Sequence, residues 1–293
     1  MAEILIAGCR GLRLVDASTG TVRWRSILHE LPELDADRRE WVRWYGDGVS
    51  DEAKPLAGTS RILTTCVAGL VAVVDMAGGA EPIAWEPGAH SAELLPDGHV
   101  VVAVSDSPGA YPPGAPRGTP SHLVLHRQGG SAALQRIPLD DAHGVHWDPR
   151  TGRLVALGGD RLVSFAFDRG RLTEREAHPL PPEAVIPSGG GHDLVPDPVE
   201  GGLLVTTVTG VWRFAEGAFT PLGPFAGRHV KSIAVHPRTG THAWIEADPA
   251  RLASGRDIRI GTDGVLRPAD PPYKARWADL DADGRFAAGW PQP

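Results

Sequence analysis

ILIAGCRGLRLVDASTGTVRW (residues 4–24) and ILTTCVAGLVAVVDMAGGAEPIAW (62–85) follow one plan. Each has a short β-rich run, a turn of small residues, a second run ending in Val-Asp, a glycine turn, and a third run ending in tryptophan. RLVALGGDRLVSFAFDRGRL (153–172) and GLLVTTVTGVWRFAEGAFTPL (202–222) repeat it. HVVVAVS (99–105) and SHLVLHRQGGSAALQRI (121–137) do so with a Pro/Gly-rich insertion at 106–120 between them. Runs of this length broken by turn residues read as antiparallel strands.

A further short run closed by a turn stands before each unit: HSAELLPDG (90–98), HGVHWDPRTG (143–152), HDLVPDPVEG (192–201) and KSIAVHPRTG (231–240). RWADLDADG (276–284) and the more degenerate KPLAGTS (54–60) complete the set. Asp-Gly and Pro-x-x-Gly endings supply the positive φ that tight hairpin turns require. Four strands per ~40–50 residues is the signature of a propeller blade. The expected fold is therefore all-β, a six-bladed β-propeller forming a single domain over 1–293. The start at 276 has too little chain after it for a blade, so strands from residues 4–26 must complete it and close the ring, leaving no free sheet edge. Whether FAAGW (286–290) adds a strand beside ILIAG stays open. The one helix-like segment is the insertion 27–48, which carries Trp41, Trp44 and Tyr45.

Composition narrows the function. Lys+Arg 29 against Asp+Glu 36 gives a net charge of −7, without the basic excess that nucleic-acid binders show. No apolar run approaches the ~18 residues of a membrane span. The opening MAEILIAGCRGLRLVD lacks a basic stretch followed by a long apolar one, so it reads as a first strand, not a signal peptide. Two cysteines, Cys9 and Cys66, make no disulfide framework and fit a cytoplasmic protein. A small-molecule substrate is the expected partner, with no nucleic acid and no membrane.

The first strand of each blade lines a propeller's central channel. Equivalent positions around the six units read Lys54, His90, His143, His192, Lys231 and Arg276, with Lys274 two residues before the last. Three imidazoles from successive blades could form a three-nitrogen site for a divalent metal: zinc, manganese, iron, nickel or copper. Such an ion acidifies a bound water or polarises a carbonyl. Lys54 and Lys231, with Glu52, are the candidate catalytic groups, and Asp51 and Asp193 are further candidates for supporting or acid–base roles. Arg276, Lys274 and Trp44 are the candidate substrate-binding residues, for an anionic or sugar-like molecule. His229 adjoins Lys231 and is a candidate addition to the mouth. The bland alternative for each histidine is a hydrogen bond between blades. The functional alternatives are a non-catalytic propeller binding an acidic ligand or partner protein, or a metal-free His/Lys acid–base isomerase or cyclase. The SGGGH run (188–192) lacks the Gly-Lys-[Ser/Thr] of a phosphate-binding loop and precedes a strand, which argues against nucleotide binding.

DEAKP (51–55), AHSAELLPDG (89–98), GHDLVPDP (191–198), VKSIAVHPRTG (230–240) and YKARW (273–277) resemble an uncharacterised family of bacterial six-bladed propeller proteins. The resemblance spans nearly the whole chain and implies the fold, without implying an activity. The design of the mouth is similar to two propeller lyases, the peptidylglycine amidating lyase and the oligogalacturonate lyases, which hold a metal through histidines. That likeness points to a metal-dependent lyase or hydrolase.

Overall fold

The computed structural model describes residues 2–45, 49–106, 120–127, 132–186, 190–248 and 255–287. Six four-stranded antiparallel sheets make up the ring. The chain enters through β1 (Glu3–Gly8), β2 (Gly11–Asp16) and β3 (Val22–Ser26), followed by helix α1 (Ala36–Trp44). Blade 1 is β4 (Glu52–Pro55), β5 (Arg61–Thr65), β6 (Leu70–Asp75) and β7 (Ala80–Trp85). Blade 2 is β8 (Ala89–Leu94), β9 (His99–Val104), β10 (His122–Arg127) and β11 (Ala133–Pro138). Blade 3 is β12 (Gly144–Asp148), β13 (Arg153–Leu157), β14 (Arg161–Asp168) and β15 (Arg171–Pro179). Blade 4 is β16 (Gly191–Pro196), β17 (Leu203–Thr207), β18 (Val211–Ala215) and β19 (Ala218–Pro221). Blade 5 is β20 (Val230–Val235), β21 (His242–Glu246), β22 (Ile258–Ile260) and β23 (Gly264–Leu266). β24 (Pro272–Trp277) then pairs with β1, so blade 6 runs β24-β1-β2-β3. The ring closes as the repeat count requires.

Within the helix-like insertion, nine residues form α1, after a single 3-10 turn at Leu28–Glu30. Asp35 caps α1, its side chain accepting the Arg38 amide at 2.8 Å and satisfying one of the donors a helix start leaves open. FAAGW does not join ILIAG at its described end. Phe286 bridges Leu280, and its amide and carbonyl bond Thr59 and Gly58 at the β4–β5 turn. The insertion 106–120 lies, but for its two end residues, outside the described residues, and so does part of SGGGH.

Among the described residues the core divides into six apolar clusters, one in each gap between neighbouring blades. Strand alternation explains the division. Along β1, Ile4 and Ile6 pack toward blade 5, while Leu5 and Ala7 pack toward blade 1. A blade apolar on both faces is stable only between two others, so the sheets stack face to face around an axis.

Candidate functional site: the imidazole-lined mouth

The innermost strands set the layers of the channel. β8, β16, β20 and β24 each carry a bulge, leaving one extra residue at His90, His192, Lys231 and Tyr273. A bulge re-aims the extra side chain, here at the end of the strand where the channel opens. Asp51 and His143 hold the corresponding places just before β4 and β12, their amides bonded to the Thr65 and Leu157 carbonyls. The first layer is therefore Asp51, His90, His143, His192, Lys231 and Tyr273. Below it come Glu52, Ser91, Gly144, Asp193, Ser232 and Lys274, and two residues further along each strand Lys54, Glu93, His146, Val195, Ala234 and Arg276.

This layering differs from the sequence expectation in two blades. Lys54 and Arg276 do not stand beside the histidines but two layers down. Lys54 Nζ donates to Glu93 Oε2 at 2.9 Å and to the Val145 carbonyl, in a small pocket at the other end of the channel. Lys274, Arg276 and Glu52 meet in a buried ion cluster. Arg276 spans Glu52 Oε1 at 2.8 Å and both Asp193 oxygens at 2.7 and 2.8 Å, and Lys274 Nζ lies 3.2 Å from each carboxylate. Ser91 also donates to Glu52, and Arg276 to Ser232. Burial alone would raise both carboxylates, but Arg276 and Lys274 hold Glu52 below its ordinary value and Asp193 down to about 2. Two cations and two anions, all nearly inaccessible, occupy the middle of the channel. Trp44 is 44% exposed on α1, with its ring 6.4 Å from that of Tyr45.

What remains at the mouth is a row of imidazoles. Ring centroids are 4.5 Å apart from His90 to His143, 5.6 Å from His143 to His192, and 4.9 Å from His192 to His229. His90 Nδ1 donates to the Gly88 carbonyl at 2.8 Å. His143 Nδ1 donates to Asp141, 3.0 Å from its carbonyl and 3.1 Å from its carboxylate. Both bonds put the proton on Nδ1 and the lone pair on Nε2. His192 Nε2 lies 2.8 Å from His229 Nε2 and 3.4 Å from Lys231 Nζ. Burial first, then neighbouring cations and imidazoles, hold His90 at about 3 and His192 well below the ordinary range, and burial with Lys231 holds His229 at about 4. Those three rings are neutral near pH 7. Burial brings the Lys231 ammonium down to about 8.

Asp141 is the residue that sequence reasoning missed. It precedes the strand, adopts left-handed φ of 50°, accepts the Ser105 hydroxyl at 2.9 Å, and is brought to about 2 by His143 and Ser105 against the effect of burial. Its signal was the Asp-x-His spacing of DAH (141–143). Asp51, whose Oδ2 accepts the Val67 amide at 2.6 Å, is raised by burial to about 7. Its carboxylate contributes to raising Tyr45 and Tyr273, so α1 approaches this end of the channel through Tyr45. The metal expectation meets a mixed geometry. An Nδ1–H held by a carbonyl or carboxylate is what a ligating imidazole needs. Yet among the described residues no three His, Cys, Asp or Glu side chains form a group that could hold a metal ion.

No family model matches the chain, and no curated protein matches it. Solved structures do. A chain of a nidogen/laminin complex superposes with a TM-score of 0.62 at 10% identity, over 94% of this chain and 98% of that one. A candidate 6-phosphogluconolactonase from Bacteroides uniformis superposes with a TM-score of 0.57 at 12% identity, over 97% of this chain and 87% of that one. Another, from Bacteroides fragilis, gives 0.50 at 12% identity, over 95% and 98%. The resemblance to an uncharacterised propeller family is thus matched at the level of fold and not by a family model. Among the described residues no helix is long and apolar enough to cross a membrane. The chain is a six-bladed β-propeller, and among the described residues imidazoles, the Lys231 ammonium and the carboxyl groups of Asp51 and Asp141 stand at one end of its channel.

Proposed function

We propose that the imidazole-lined mouth is the active site of a hydrolase acting on a small, anionic, sugar-derived lactone or ester. The observation that carries this reading is the Asp141–His143 pair. A carboxylate on Nδ1 holds the tautomer in which Nε2 is a base and stabilises the imidazolium formed when it accepts a proton. His143 Nε2 takes a proton from water as the water oxygen bonds to the lactone carbonyl carbon. The ring C–O bond then breaks, and the imidazolium returns that proton to the departing alkoxide. The product is the open hydroxy acid, with His143 restored. Lys231 holds the substrate's anionic group, and the neutral rings of His90, His192 and His229 offer donors and acceptors to its hydroxyls. The candidate 6-phosphogluconolactonases share only the fold, but their name makes sugar lactones, phosphorylated and plain, the first compounds to test.

The test is hydrolysis of such a panel by wild type and by variants that melt at the wild-type temperature. His143→Gln is expected to lower kcat by about 10²–10⁴-fold, and Asp141→Asn by a comparable order. Lys231→Gln is expected to raise KM for anionic members more than for neutral ones. No turnover of any lactone, or unchanged turnover in His143→Gln, overturns the proposal.

The Nδ1 bonds of His90 and His143 support a second reading, in which His192 would turn from His229 to join them around a divalent metal, which would supply a Lewis acid for hydrolysis or elimination. Elemental analysis of untagged protein decides it. About one metal per chain, lost in the His90→Ala/His143→Ala variant, would replace the metal-free reading. No metal after incubation with excess ions removes the second reading.

A further inference from the structure

A cavity of about 650 Å³ lies between blades 5 and 6, away from the channel. Arg10, Arg13, Arg25 and Arg267 line it against a single carboxylate, Asp270. On a chain of net charge −7, that is a local reversal of sign. Arg13 and Arg25 face each other directly across β2 and β3, a like-charge pair that weakens a sheet. Asp270 offsets part of this, taking Arg13 Nη1 at 2.7 Å with Arg10 Nε 3.8 Å away. Arg267 leans toward Asp257 at 3.6 Å, and Arg25 has no ion pair among the described residues. The Arg13 side chain is only 8% exposed, and its Nε is buried without a hydrogen-bond partner. A buried guanidinium donor left unmet is unfavourable, so the surroundings of Arg13 are short of acceptors. Val22 and Ile27, with the edge of Leu266, supply an apolar wall beside the arginines.

We propose that this cleft binds a small organic dianion, a phosphate monoester whose apolar body lies on that wall. Guanidinium forks match the oxygen pairs of such a group, and a cavity of this size suits a ligand of modest dimensions. The site is independent of the mouth and of the hydrolase reading.

Isothermal titration at low salt with phenyl phosphate tests it. Saturable binding with Kd below about 1 mM is expected, weakening as salt rises. Arg25→Gln, an exposed position that leaves the fold intact, is expected to weaken binding roughly tenfold, and Arg13→Gln at least as much. Lys231→Gln is expected to leave the Arg25-dependent binding unchanged, whatever anion binding it removes at the mouth, which separates the cleft from the mouth. Inorganic phosphate should bind more weakly than phenyl phosphate, because it lacks the apolar body. Absence of saturation by about 10 mM overturns the proposal, as do an unchanged Kd in Arg25→Gln, loss of the Arg25-dependent binding in Lys231→Gln, or equal affinity for benzoate.

Discussion

Asp51 keeps a proton where a surface aspartate would have lost it. Burial raises its carboxyl from the ordinary value near 3.9 to about 7. Between these values the folded chain binds a proton that the unfolded chain does not, so this residue's contribution to stability falls as pH rises from about 4 to 7 and is flat above. Asp51→Asn keeps an acceptor for the Val67 amide and removes the titration. Its melting temperature relative to wild type is therefore expected to climb between pH 5 and pH 8, and a constant difference would show that Asp51 titrates normally. At this scale the sequence was readable for some residues and not for others. His90, His143, His192 and Lys231 open their blades and were legible from the repeat, and His229 beside Lys231 joins them. Lys54 and Arg276 attracted notice as cations, but strand alternation places them two layers below Asp51 and Tyr273. Asp141 was hidden because its role depends on a left-handed backbone and a hydroxyl from another blade.

Gly11 illustrates the constraint on single elements. Its φ is +88°, and a Cβ there would lie 2.2 Å from the Ser26 carbonyl oxygen of the neighbouring strand. A side chain must both adopt an unfavourable backbone conformation, costing about 1–3 kcal/mol, and push β3 away. Gly11→Ala is expected to lower the melting temperature by roughly 5 °C or more, and an unchanged melt would mean that the turn relaxes freely. Strand boundaries were legible because turn glycines and apolar alternation repeat in every blade. The bulges were not, since one extra residue leaves the alternation on either side intact.

The whole ring depends on contacts between residues far apart in sequence. Arg276 of blade 6 meets Glu52 of blade 1 and Asp193 of blade 4 at the channel centre. Removing it leaves two carboxylates buried with Lys274 as their nearest cation, at an expected cost of about 3–5 kcal/mol in Arg276→Met. Urea denaturation measures this, and pairing the change with Asp193→Leu should recover part of the loss. Equal stability of Arg276→Met and wild type would mean that the cluster adds nothing net.

The closure of blade 6 also has a consequence for how the protein is made. β1, β2 and β3 leave the ribosome before the other five blades, yet the partner of β1 arrives only with residues 272–277. At ~5–20 residues per second, the nascent chain carries that open edge, ILIAG, for about 12–50 s. Unpaired strand edges are templates for aggregation, so the most exposed moment in this molecule's life precedes its completion. Chaperone supply during translation, more than the stability of the finished ring, should then govern its soluble yield.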